Sequence, residues 1–153
     1  MQLSDIFLQL GEENFNHLLR SVSMGRLKTY QLFDRVKTVL YLHKLNSETL
    51  RKAAPRIWAR IGEHDDEFAT EVAQTILISH LDMIRAVLDQ QGIPHEDGFF
   101  AKDADIAKHL PEGWQQQVWD KFHSVYPAPA LLFYINHLGW EITKAEQVFQ
   151  PAQ

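Results

Sequence analysis

Apolar residues recur along this chain at helical spacing, and no alternating run is long enough to seed a sheet. The clearest case is residues 66–90. There Ala69, Val72, Ala73, Ile76, Leu77, Leu81, Ile84, Val87 and Leu88 hold one face for more than five turns, opened by Asp65 or Asp66 and closed by Gly92-Ile93-Pro94. Two further long helices follow from the same reasoning. One covers 26–43, with Leu32, Phe33, Val36, Val39 and Leu40 in one arc. The other covers 129–149, entered through Pro129 and carrying Leu131, Ile135, Leu138, Ile142, Ala145 and Phe149.

Shorter elements fill the intervals. Ser4 is suited to cap a first helix that Gly11 ends, and Phe15, Leu18, Leu19 and Val22 mark a second at 12–23. A helix at 48–62 buries Leu50, Ala53, Ala54, Ile57 and Ile61, with a kink or break expected at Pro55. The stretch 94–111 reads as a loop through Gly98 with a short helix near 103–109, followed by a helix at 112–124. The expectation is an all-α bundle of about seven helices forming a single domain over 1–153, its up-down core built from 26–43, 66–90 and 129–149.

Composition narrows the chemistry. At 153 residues and 45% apolar, the chain is long enough to bury a core without staples. It has no cysteine, which removes disulfides, thiolate metal sites and cysteine nucleophiles. The opening residues lack a basic leader pattern, and the longest apolar stretch, 128–140, is interrupted by Asn136 and His137. A soluble, cytoplasmic protein is expected.

The net charge of −5 hides an uneven distribution. Residues 20–60 carry ten Lys and Arg against Asp34 and Glu48, a formal +8, whereas 61–153 is formally −10. Much of this positive charge is expected to balance the acidic remainder on a solvated surface. On helix 26–43, Lys28 and Arg35 lie on one flank of the apolar arc and Arg26, Lys37 and Lys44 on the other, as expected for side chains snorkelling around a buried stripe. Lys52, Arg56 and Arg60, four apart, form one outward row with no local acid to neutralise it. With Lys44 they make the candidate partner-binding face. An acidic protein is the favoured partner; nucleic acid or anionic lipid ranks lower.

Candidate chemistry elsewhere is thin. His80 lies near the apolar side of helix 66–90 and needs polar partners if buried. Phe133 and Trp140 share a side of the last helix away from its main stripe, covered by the 94–125 region or else forming a ligand groove or dimer face; Phe99-Phe100 could plug the same place. These three residues, His80, Phe133 and Trp140, define a possible pocket for a small molecule or for acid–base chemistry. Asp120/His123, His137/Glu141 and Glu13/His17 have ligand spacing, yet no Glu-x-x-His pair or HExxH motif exists, and no metal or cofactor is expected. Glu67 and Glu71 read as acids favoured at a helix start. Glycine-rich phosphate loops, nucleophile elbows and deaminase motifs are lacking. The sequence favours a noncatalytic interaction module, with a binding or enzymatic bundle and a nucleic-acid binder as alternatives.

Overall fold

The computed structural model describes residues 1–29 and 47–152. Most of the expected helix 26–43, including its apolar arc and Lys44, lies outside the described residues. Among the described residues the chain is all-α apart from one small hairpin. Its helices are α1 (Leu3–Leu10), α2 (Glu12–Arg20), α3 (Met24–Thr29), α4 (Ser47–Ile61), α5 (Asp66–Ile78), α6 (Leu81–Gln90), α7 (Trp114–Phe122) and α8 (Ala128–Thr143). Between α6 and α7 come the hairpin strands β1 (His95–Glu96) and β2 (Phe99–Phe100) and a 3-10 turn at Ala107–His109. By their internal contacts the residues divide into two compact units, Gln2–Ser79 and His80–Gln153, with Met1 grouped with the second.

In the first unit, α2 packs on α4, and α1 touches α2, α4 and α5. Ile6, Phe7, Phe15, Leu18, Leu27, Leu50, Ile61 and Ile76 are fully buried. Phe7 meets Phe15 edge-on at 5.2 Å between ring centres, and Phe15 meets Trp58 at 5.3 Å. The start of α1 lies two residues before the expected Ser4: the Gln2 N–H donates to Asp5 Oδ2 at 2.8 Å, while Ser4 is buried. Helix α4 runs through Pro55 as a single helix, so only the bond that the residue-55 N–H would have given to the Arg51 carbonyl is lost. Asp65 caps α5 as expected, accepting from the Phe68 N–H at 3.1 Å.

The expected helix 66–90 is two helices. Thr75 Oγ1 donates to the Glu71 carbonyl at 2.8 Å and Ser79 Oγ to the Thr75 carbonyl at 3.0 Å, while Ser79 Oγ also accepts the Ser23 N–H at 2.8 Å. Such hydroxyls compete with the backbone ladder and end α5. His80 then leaves helical geometry (φ −124°, ψ 36°), and its carbonyl accepts the Ile84 N–H to restart the helix as α6. Both pieces keep the same apolar periodicity, which is why the break is silent in the pattern.

The second unit is built on α8, against which α7 packs. Helix α8 ends at Thr143, short of the expected Phe149. Thr143 Oγ1 donates to the Gly139 carbonyl at 2.7 Å, Lys144 turns left-handed (φ 56°), and the Ala145 N–H returns to the same carbonyl at 3.3 Å. The tail then doubles back. Buried Asn136 donates to the Phe149 carbonyl at 3.2 Å and accepts its N–H at 2.6 Å. The hairpin turns on Asp97 and Gly98, both with positive φ, as a two-residue Asp-Gly loop requires. A β-carbon on Gly98 would lie 3.2 Å from Leu81 Cδ2, so glycine also permits the hairpin to lie against α6.

Candidate functional site

Helix α4 presents its cations along a face opposite Leu50, Ala53, Ile57 and Ile61, all buried. The expected row of Lys52, Arg56 and Arg60 is not uniform. Lys52 Nζ lies 3.1 Å from Glu48 Oε1, one turn earlier and in the favoured acid-before-base order, so a local acid does partly neutralise it. Both groups remain well exposed, and such a pair contributes little to stability. Arg60 is turned toward the α4–α5 corner. Its Nη2 is 3.0 Å and its Nε 3.1 Å from Asp65 Oδ2, and its guanidinium lies 4.3 Å from the centre of the Phe68 ring. The Phe68 N–H, followed by Arg60, holds the Asp65 carboxyl below its ordinary range. Arg56 is exposed and, among the described residues, has no ion-pair or hydrogen-bond partner.

Arg51 has the same character and was not part of the expected row, being one residue from Lys52 and so about 100° around the helix. It faces α2. Two adjoining cavities of 280 and 300 Å³ share Leu19, Arg20 and Arg51 as walls. Among the described residues the first is also lined by Asn16, Ala54, Pro55 and Glu12, and the second by Glu48. Together they form a groove with an apolar floor and a basic middle. Arg20 is steadied from its own helix, with Nε donating to the Asn16 carbonyl at 3.3 Å and Nη2 3.1 Å from His17 Nδ1. The sequence signal was available in Arg20 and Arg51 themselves, but only the packing of α2 on α4 joins them.

The possible pocket at His80, Phe133 and Trp140 has a different outcome. His80 stands at the head of α6 rather than within a long helix, and burial lowers the pKa of its imidazole. Phe133 is fully buried, and the Trp140 indole N–H donates to the Met1 carbonyl at 2.7 Å. Between them lies His137, its ring 5.9 Å from each aromatic ring. Burial pushes the His137 imidazole down to about 4. Its Nδ1 is 3.6 Å from Glu141 Oε2, and burial raises the Glu141 carboxyl, opposed by Lys144. Burial, with Glu141, also raises the Tyr134 phenol. An imidazole this acidic is neutral at neutral pH and a weak proton acceptor, far from the poise that general-base catalysis favours. Phe99 does not fill this region as a plug, being 48% exposed on its hairpin.

One Ser–His–Asp cluster does form, at the junction of α1 with the α4–α5 corner. Ser4 Oγ lies 3.3 Å and Asp5 Oδ1 3.5 Å from His64, but both approach the same nitrogen, Nδ1. A catalytic relay needs serine and aspartate on opposite ring nitrogens, and Ser4 is wholly buried. The cluster ties elements together instead. Of the other pairs with ligand spacing, Glu13 and His17 are 4.0 Å apart on the surface, whereas Asp120 accepts from Gln116 and His123 bonds the Trp119 carbonyl. Among the described residues no three His, Asp or Glu side chains converge as a metal site, and no helix is long and apolar enough to cross a membrane. Glu67 is exposed and Glu71 buried, so they do not line a shared cleft mouth. Compared with known protein families, curated proteins and solved structures, the chain matches none of them.

Proposed function

We propose that this protein is a noncatalytic, cytoplasmic interaction module that contacts an acidic protein partner through the outer face of α4. The observation that carries this reading is the pair Arg51 and Arg56, both exposed and both without an ionic partner among the described residues. An unpaired guanidinium keeps its full field and its planar set of donors, which match carboxylates in a two-point contact. Lys52 adds exposed charge beside them, while Arg60, held by Asp65, contributes less than its spacing suggests.

The test is a salt-dependent capture experiment from the native cell extract, comparing the wild-type chain with the double charge reversal Arg51→Glu/Arg56→Glu. An acidic protein retained by the wild type, released by rising salt and lost from the variant is the expected result. Identical capture by both chains overturns the reading. Loss of bound nucleic acid in place of protein replaces the acidic partner with a polyanion.

A further inference from the structure

The groove between α2 and α4 has a charge order that restricts what can occupy it. Its middle is basic, with Arg20 and Arg51 on the walls shared by both cavities, while Glu12 and Glu48 stand at opposite ends. Among the described residues Glu48 is held by Lys52 and Arg20 is steadied by Asn16 and His17, neither of them an acid, while Arg51 has no ionic partner. Leu19 and Ala54, largely buried, give the floor an apolar surface. Pro55, which also lines the first cavity, lacks an N–H and so deprives the Arg51 carbonyl of its usual helical donor.

A uniformly anionic ligand would meet repulsion from Glu12 at one end of this groove and no net attraction at the other, where Glu48 is paired with Lys52. One carboxylate between flanking apolar or basic groups would not: it would meet two guanidinium groups while its neighbours met the leucine–alanine floor and the terminal glutamates. We propose that the groove binds a short peptide segment of the partner protein through a single Asp or Glu side chain, received by Arg51 and Arg20, with an adjacent apolar residue seated on Leu19 and Ala54. This rests on the reading of α4 as the face for an acidic partner, and it narrows that partner from an acidic surface to one carboxylate in a mixed setting. Cavities of 280 and 300 Å³ suit a few side chains rather than a whole element.

The experiment is an amide-resolved NMR titration of the full chain with the probe acetyl-Lys-Leu-Glu-Leu-Lys-amide. The expected result is saturable shift changes centred on the amides of Leu19, Arg20, Arg51 and Ala54. Replacing the peptide glutamate by glutamine should weaken binding about tenfold, as should Arg51→Gln, the loss expected for one charge-assisted contact. Lys102→Gln, an exposed cation between β2 and α7, should leave the probe's affinity unchanged. Tighter binding of hexaglutamate or a short DNA duplex than of the probe overturns the proposal. Acidic-probe binding that depends on Arg56 and not on Arg51 overturns the groove while leaving the wider reading of α4 standing. Absence of binding by every acidic probe, together with unchanged capture by the Arg51→Glu/Arg56→Glu chain, overturns both.

Discussion

Helices α4 and α8 each carry a basic side chain close to apolar surface, and they treat it in opposite ways. On α4 the long arginine stems reach past the buried stripe, so Arg51 and Arg56 keep their charge in water. On α8 the short imidazole of His137 cannot reach out. It is enclosed by Phe133 and Trp140, and burial strips it of its proton near neutrality. The difference teaches that basic residues near an apolar face make a recognition surface only when the side chain is long enough to leave it. It also separates the two regions by role. Helix α4 keeps its charge exposed, whereas the aromatic box on α8 is largely buried within its own unit.

The strongest way to break this contrast is to open the box. Phe133 is fully buried beside His137, and Phe133→Ala should destabilise the protein by about 3–5 kcal/mol in urea unfolding. In the folded fraction the His137 pKa should move up toward 6.5 as water reaches the ring, which NMR titration of the imidazole can follow. A stable variant with His137 still near 4 would mean that the aromatic ring is not what desolvates it.

A pH scan is the second test. His137 is lowered to about 4 in the folded chain, so between about 4 and 6.5 the unfolded state takes up a proton that the folded state refuses. The contribution is therefore full above 6.5 and falls by roughly 3 kcal/mol as pH drops toward 4. Glu141, raised above 4.5 by burial, works in the opposite sense inside that window and offsets part of the loss, because just above 4.5 the folded state binds a proton more readily than the unfolded one. Urea unfolding across the window should show this loss in the wild type and a flatter profile in His137→Phe. Parallel profiles would assign the acid sensitivity to other groups.

What was legible in the sequence follows from periodicity, and what was hidden follows from hydrogen bonds that periodicity does not register. The apolar spacing located α2, α4 and α7 within a few residues and the all-α class correctly. It ran straight through Ser79 and His80 because the apolar face continues on both sides of the break, while the cause is hydroxyl bonding from Thr75 and Ser79. It extended α8 to Phe149 because the apolar spacing continues through Ala145 and Phe149, whereas Phe149 returns to Asn136 by hydrogen bonds and not by further turns. The basic face was half legible. Four-residue spacing selected Lys52, Arg56 and Arg60, but Glu48 sits at that same spacing from Lys52, and Asp65 reaches Arg60 only because the chain turns between α4 and α5. Arg51 gains its meaning from α2, a tertiary neighbour.

Asn136 supplies the next smaller effect, and it sharpens the view of α8 as a structural element. Its side chain is 5% exposed and makes paired bonds to the backbone of Phe149. Asn136→Ala should cost about 1–3 kcal/mol, because the Phe149 N–H and carbonyl lose their partner. Hydrogen exchange at the Phe149 amide should accelerate well beyond the change seen in α4. Equal acceleration in both regions would mean global destabilisation rather than release of the tail.

The smallest effect bears most directly on function. Asp65 joins two roles, capping α5 through the Phe68 N–H and holding Arg60 beside α4. Asp65→Ala removes both at once and should lower stability by about 1 kcal/mol, the usual cost of a lost cap. Asp65→Asn separates the roles: the amide oxygen still accepts from Phe68, but the carboxylate that retains Arg60 is gone. If α4 recognises an acidic partner, the asparagine variant should capture it more strongly at low salt, since Arg60 then adds its charge to Arg51, Lys52 and Arg56. The gain should vanish as salt rises. Capture unchanged by Asp65→Asn would confine recognition to the end of α4 near Arg51, where the groove begins, and would leave Arg60 as a purely structural partner of the α5 cap.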